Sequence, residues 1–299
     1  MPIIIGLPIG GGGLPVAADS KIRPGSLAIA FAADVPTIPK TVTFTAPSAL
    51  AVAVDAPTIT SPGNIFPSLS GMLFRYRAGA EAGSDGTAVG TFTDQSGNGR
   101  NATQGTGANQ PTLKTNILNG KSVYRFDGTN DSVSIASWSP GTATVTIYAV
   151  VNNRNAGTFK VLATHSANRD AFNDVFSLEK TTADKIDGVL HGSGGTYGEF
   201  LTTATIPTDG TFRVIRFLFD KSLASNECTV ELNHTVAGTR PSNGDTTGNF
   251  SAQDTYIGSQ GGSAAFWNGD IAEFVCVNRD LTTQEKSDVD AYFLAEYGV

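Results

Sequence analysis

Residues 266–298 read FWNGDIAEFVCVNRDLTTQEKSDVDAYFLAEYG, and they change from a strand pattern to a helix pattern partway along. The first half alternates polar and apolar side chains, which predicts a strand with Glu273 facing away from the core. Thr282 and Glu285 are spaced as a capping box at the start of a helix, and Gly298 stands where a helix commonly ends. The end of the chain is therefore predicted to be a buried strand followed by one capped helix.

The preceding residues predict many short strands. Strand-like segments such as SVYRFDG, TVTIYAVV and ECTVELNHT recur between clusters of Gly, Asn, Asp and Ser. In residues 211–220, TFRVIRFLFD, both faces are largely apolar, which is typical of a central strand covered on both sides. Short strands with frequent turn signals predict an all-β sandwich or jelly roll.

Three stretches together resemble the laminin-G-like, pentraxin-like branch of the concanavalin A-like lectin/glucanase superfamily. They are residues 71–104 with the turn DQSGNG, residues 109–135 with GKSVYRFDGTND, and the strand and helix of residues 266–298. The resemblance implies a two-sheet antiparallel jelly-roll sandwich over residues 68–299, closed by the short C-terminal helix. Members of this kind mostly bind glycans or proteins, often with calcium, and some are hydrolases. Phage and bacterial genomes also append such domains to virion and cell-surface proteins.

Residues 1–67 have a different composition. They hold 10 of the 14 prolines, which interrupt short apolar runs such as SLAIAFAA and ALAVAVDA. Proline cannot donate to a strand ladder, so a self-contained sheet is not expected here. The segment is instead predicted to be an extended arm that orders against other subunits by strand addition and apolar burial. The apolar residues assigned to this anchoring role are Ile3, Ile4, Ile5, Leu7, Ile9, Phe31 and Phe44.

The first residues do not match a secretory signal peptide. No Lys or Arg precedes Lys21, and Pro2 and Pro8 interrupt the apolar run. We therefore expect synthesis in a host cytoplasm without export by a signal peptide. The net charge of −7 argues against nucleic acid and anionic membranes as partners.

Aromatic residues in loops are the candidates for glycan binding. Trp138 lies in ASWSP, Tyr197 in the Gly-rich stretch GTYGEF, and Trp267 in AFWNGD. Each has a packing alternative, since Trp138 can cover the edge of the sandwich and Trp267 can cap its core. Tyr197 is the least easily explained by packing.

Calcium is the one candidate cofactor. Asp94 and Asn98 bring oxygen ligands into the loop TDQSGNGRNATQ, and Asp127 and Asp131 do so in FDGTNDSV. The alternative for the first loop is a turn in which Asp94 and Asn98 bond nearby backbone groups, and for the second it is a structural hairpin. A shared site would require Asp127 and Asp131 to converge with Asp94.

No catalytic site is predicted. The paired carboxylates of glycosidases with this fold are absent, as is the sequence G-x-S-x-G of serine hydrolases. Cys228 and Cys276 are interpreted as free thiols in core strands.

Together these features predict a phage virion structural protein, either a capsid decoration or a fibre-like surface protein, and not an enzyme. Residues 1–67 would bind other virion proteins, and the lectin-like domain would face outward on the virion surface and bind host glycans, in a homo-oligomer. The alternatives are an extracellular bacterial carbohydrate-binding module and a glycan hydrolase or lyase.

Overall fold

The computed structural model describes residues 27–30, 41–44, 65–168, 170, 173–193, 197–239 and 248–299. The chain divides into two units, residues 1–58 and 59–299. In the first unit, β1 (Leu27–Ala30) and β2 (Thr41–Phe44) form an antiparallel pair. Phe44 ends β2, whereas the other residues assigned to anchoring lie outside the described residues: Ile3, Ile4, Ile5, Leu7, Ile9 and Phe31.

The second unit contains two antiparallel sheets. In the first, named the helix sheet, the strands are ordered β16 (Thr235–Thr239), β15 (Cys228–Leu232), β14 (Arg213–Asp220), β9 (Thr144–Asn153), β18 (Asn268–Val277), β7 (Lys121–Asp127) and β6 (Thr112–Leu118), and β3 (Met72–Arg77) pairs with the other end of β18. In the second, named the facing sheet, the order is β13 (Tyr197–Thr205), β12 (Lys185–His191), β11 (Val175–Lys180), β10 (Lys160–Thr164), β17 (Gln253–Ile257), β8 (Val133–Trp138), β5 (Ala102–Thr103) and β4 (Thr91–Phe92). Short 3-10 helices span Phe66–Ser68 and Gly107–Asn109.

The main core fills the space between the two sheets. β14 lies between β15 and β9, as its two apolar faces predict, and Ile215, Phe217 and Phe219 enter this core. Cys228 and Cys276 are buried free thiols in the same core, which confirms their interpretation from sequence. The architecture is an all-β jelly-roll sandwich, as expected.

The other face of the helix sheet is covered by α1 (Thr283–Tyr297). Thr282 Oγ1 accepts a hydrogen bond from the Glu285 backbone N–H at 3.2 Å, and the Glu285 carboxylate accepts one from the Thr282 N–H at 2.8 Å. Gly298 adopts a φ of 76°, and its N–H donates to the Leu294 carbonyl at 2.9 Å. The predicted capping box and helix end are both confirmed. In the part of the chain that the structure describes, no helix is long and apolar enough to cross a membrane.

Glu273 faces away from the main core, as predicted, but α1 buries it. Its carboxylate accepts hydrogen bonds from Arg75 Nε at 2.6 Å and from the hydroxyls of Tyr292 and Tyr297 at 3.0 and 2.6 Å. A buried carboxylate with this many donors is compensated, so we interpret Glu273 as a structural residue that fixes α1 on the sheet.

The burial of Phe66 indicates that the sandwich begins before residue 68, the start expected from the sequence. The sequence assigns it to the arm, yet it is fully buried beneath α1, and its ring contacts Tyr292 with centroids 5.1 Å apart. The Arg75 guanidinium lies 4.4 Å from the same ring. Burial of one such side chain contributes roughly 1.5–3 kcal/mol, so this residue belongs to the folded domain.

Candidate functional site

Trp138 belongs to the core. Its ring is 8% exposed and packs edge-on against Phe74, with centroids 5.3 Å apart, while its Nε1 donates to Thr255 Oγ1 at 2.9 Å. Trp267, directly before β18, is 1% exposed and covers Gly269. The expectation of exposed aromatic platforms is corrected at both positions, because burial leaves neither ring a face on which a sugar could stack.

Tyr197 opens β13, where the sequence predicts a loop. Its backbone pairs with that of His191 at the end of β12. The prediction of a loop at Tyr197 is therefore wrong, because this residue already pairs within the strand ladder between β12 and β13.

Asp94 forms a turn, which is the alternative that its sequence left open. Its carboxylate accepts hydrogen bonds from the backbone N–H groups of Arg75, Ser96 and Arg100 at 2.9–3.0 Å. The Asn98 side-chain amide donates to the Met72 and Leu73 carbonyls. These bonds fasten the loop to β3.

Asp127 and Asp131 stabilise the turn between β7 and β8, which is not the expected hairpin, because β7 pairs within the helix sheet and β8 within the facing sheet. Asp127 Oδ1 accepts from the N–H groups of Thr129 and Asn130, and Asp131 Oδ2 accepts from the Asp127 N–H at 2.9 Å. Burial raises the pKa of Asp131 to about 6. Within the described ranges, no three His, Cys, Asp or Glu side chains form a group that could hold a metal ion, so Asp94 does not form such a group with Asp127 and Asp131. Calcium binding stays a prediction.

A row of hydroxyl-bearing residues crosses the facing sheet, on the side away from the main core. Each residue pairs directly with the next on the neighbouring strand, so all of them share one face. In order they are Thr91, Thr103, Ser134, Tyr256, Thr164 and Ser177. We name this row, together with Asp254, Glu179 and Asp187, the polar face.

The alternation of side chains explains why this face is polar. The strand neighbours of the row point the other way and fill the core, as Phe92, Ala102, Ile257, Phe176 and Leu178 do. Successive residues of a strand point to opposite faces. The hydroxyl-bearing residues therefore lie on the outer face because their apolar neighbours point into the core.

The polar face is exposed on β4 and β5 and partly exposed on β8 and β17. Tyr256 is half-buried there, with Gly262 packed against its ring, and its hydroxyl donates to Asp254 Oδ2 at 3.3 Å. Partial burial, together with the nearby Asp254 carboxylate, raises the pKa of Tyr256. The phenol therefore stays protonated, beside a carboxylate and a hydroxyl row.

The polar face is buried on β10, β11 and β12. Thr164 and Ser177 are fully buried, and Glu179 pairs directly with Asp187 across two strands. The Cβ atoms of directly paired residues lie about 4.5–5.5 Å apart, so the two carboxylates come close together there.

Tyr256 and Asp254 are the residues that sequence reasoning missed. Both belong to a strand whose alternate residues, Thr255 and Ile257, are buried. The alternation of side chains in QDTYI is the sequence signal for both residues, but it lies in a strand, whereas glycan-binding aromatics are expected in loops.

Comparisons with known proteins support the fold. In structure the chain is similar to the binding domain of Paraclostridial Mosquitocidal Protein 1, with a TM-score of 0.52 and 13% identity, over 75% of this chain and 52% of that one. It thus spans about half the length of that domain. Weaker similarities are to the CBM40 of the Ruminococcus gnavus IT-sialidase bound to alpha2,3 sialyllactose (TM-score 0.41, 13% identity, 52% of this chain and 97% of that one) and to the heptameric SAP-like pentraxin of Limulus polyphemus (TM-score 0.43, 15% identity, 57% and 80%). No protein-family model matches the chain, and no curated protein matches it in sequence.

Proposed function

We propose that the sandwich is a glycan-binding domain, with the exposed part of the polar face as its contact surface. The observation that carries the proposal is the aromatic ring of Tyr256 beside the Asp254 carboxylate, within a row of hydroxyls. The fold similarity to a protein described as a binding domain also supports a binding role.

The chemistry of this surface suits a sugar. An aromatic ring offers an apolar face to the C–H side of a pyranose, while a carboxylate accepts hydrogen bonds from neighbouring sugar hydroxyls. Ser134 and Thr103 supply groups that both donate and accept. A small number of placed polar groups beside aromatic surface is also typical of small-molecule sites.

A glycan array with the purified chain tests the proposal, with and without calcium. Tyr256→Ala is expected to reduce binding at least tenfold because it removes the stacking surface, whereas Tyr256→Phe keeps the ring and most of the affinity. Asp254→Asn should weaken binding, and Asp288→Asn on α1 is its charge-matched control. Equal binding by wild type and Tyr256→Ala would contradict this surface, and no binding to any glycan would contradict the function.

We further propose that the protein is a phage virion component on the virion surface that attaches to host glycans. Its support is the Pro-rich, apolar composition of residues 1–67, which suits anchoring against other virion subunits in a homo-oligomer. Deletion of residues 2–58 tests the anchor and leaves the buried Phe66 in place. Incorporation into particles should fall strongly, and unchanged incorporation would refute the anchor. Neighbouring capsid or tail genes would separate this role from a bacterial extracellular binding module.

Glycoside hydrolysis is a second candidate because of the paired carboxylates. Glu179 and Asp187 are buried on the same face and pair directly across two strands. Retaining glycosidases hold two carboxyl groups about 5–5.5 Å apart. Release of reducing sugar from a bound glycan, lost in both Glu179→Gln and Asp187→Asn, would support hydrolysis, and binding without release would exclude it for that glycan.

A further inference from the structure

A groove of about 580 Å³ lies on the helix sheet, beside the C-terminal end of α1. Its volume falls in the range of about 300–1,000 Å³ that is usual for small-molecule sites. It is on the opposite sheet from the polar face, and it does not depend on the proposed function.

The floor of the groove is a polar row where α1 no longer covers the sheet. Asn152, Asp270 and Arg125 pair directly across β9, β18 and β7. Their strand neighbours Val151, Ile271 and Tyr124 point into the main core, so this row faces the side of α1. The helix ends at Tyr297, which lines the groove together with Val299.

The negative charge of Asp270 is already compensated by Arg125 within the floor of the groove. Its carboxylate is 1% exposed and accepts two hydrogen bonds from Arg125, Nε to Oδ1 at 2.7 Å and Nη2 to Oδ2 at 2.9 Å. A bidentate Arg–carboxylate pair is among the stronger charge-assisted arrangements. A second cation is therefore not required to compensate this buried charge.

Arg154 is nevertheless placed at the same groove. Its Nη1 is 3.9 Å from Asp270 Oδ1, beyond hydrogen-bond distance, and its side chain is 42% exposed. Across the described residues, the Arg154 guanidinium makes no hydrogen bond within the chain, so its donors remain open to a ligand. A guanidinium presents a fixed fork of donors that matches a carboxylate or phosphate.

The residues that line the groove indicate the chemistry of the rest of the ligand. Thr208 and Thr211 contribute hydroxyl groups on one loop, while Phe212 and Leu118 contribute apolar surface. We infer that this groove is a second binding site, which takes a small hydroxylated ligand with an anionic group, a carboxylate or a phosphate, on Arg154.

Isothermal titration calorimetry of the full chain with three sugars tests this site. Glucuronate and glucose 6-phosphate carry the two anionic groups, and glucose is the neutral match. At least one anionic sugar should bind at least tenfold more tightly than glucose, with an affinity that falls as salt is added. The better of the two identifies the anionic group. Failure of both anionic sugars to bind, or binding of glucose at equal affinity, would overturn the site.

Variants assign the effect to the guanidinium. Arg154→Gln should lose at least tenfold in affinity for the anionic sugar, and Arg154→Lys should lose less, because it keeps the charge but not the fork. Lys114→Gln, which removes a surface cation elsewhere, and Tyr256→Ala on the polar face should both bind as wild type. Circular dichroism and the Tm verify folding of each variant. Unchanged affinity in Arg154→Gln would overturn the assignment.

Discussion

At the scale of single residues, Asp131 makes stability depend on pH. Burial raises its pKa to about 6, above the value near 3.9 of an unfolded chain. Between these values the folded state holds the proton more strongly, so stability falls as the pH rises through this window. A shift of this size corresponds to at most about 3 kcal/mol.

Asp131→Asn is expected to remove this dependence. The amide oxygen can still accept the Asp127 N–H, while no charge is buried above pH 6. Urea unfolding at pH 4, 5, 6 and 7 should give a higher free energy of unfolding than wild type at pH 7 and a flatter profile. Asp288→Asn is the control and should keep the wild-type profile. A wild-type slope in Asp131→Asn would contradict the assignment.

His234 is expected to make stability depend on pH in the same direction, although here the bound proton adds a positive charge beside a carboxylate. Its Nδ1 lies 2.6 Å from Asp290 Oδ1, and this hydrogen bond raises the pKa of the imidazole. The pair therefore stabilises the fold fully below about pH 6.5, and the contribution is lost as the pH rises through the folded-state pKa. His234→Gln should be destabilised at pH 6 but match wild type at pH 9 in urea unfolding. Asp290→Asn should reproduce this pattern, and an equal loss at both pH values would argue against titration.

At the scale of elements, α1 depends on its N-terminal cap. Thr282 and Glu285 satisfy two backbone donors reciprocally, at 2.8 and 3.2 Å. Thr282→Ala should lower the free energy of unfolding by about 1 kcal/mol, since the Glu285 N–H loses its acceptor. Thr282→Ser keeps the hydroxyl and should unfold close to wild type. Chemical denaturation followed by circular dichroism measures both variants, and equal stability of wild type and Thr282→Ala would contradict the role of the cap.

At the scale of the whole molecule, the sandwich holds its cores within residues 59–299. The inter-sheet core and the core beneath α1 are both built from residues 66–297. A fragment of residues 59–299 should therefore fold cooperatively, and a fragment of residues 68–299 should be less stable by roughly 1.5–3 kcal/mol because it lacks Phe66. Thermal unfolding of the two fragments compares them. Equal Tm values would contradict the place of Phe66 in the domain.

Patterns that repeat within a few residues were readable from the sequence alone. The two-faced apolar strand β14, the alternation of β18 and the capping box of α1 are all local, so periodicity and spacing determined the all-β sandwich and its closing helix. The turn at Asp94 was also among the alternatives that its residue types allowed.

Only the tertiary structure decided which distant residues meet. The hydroxyl row begins at Thr91, includes Tyr256 and ends at Ser177. It crosses six strands whose order in the sheet differs from their order in the chain. Burial of Trp138 and Trp267, and convergence of Arg154 with Asp270, likewise depend on strand register and on packing between sheets. Periodicity tells which side of a strand is apolar, but long-range pairing decides what lies opposite, and that information is not local in sequence.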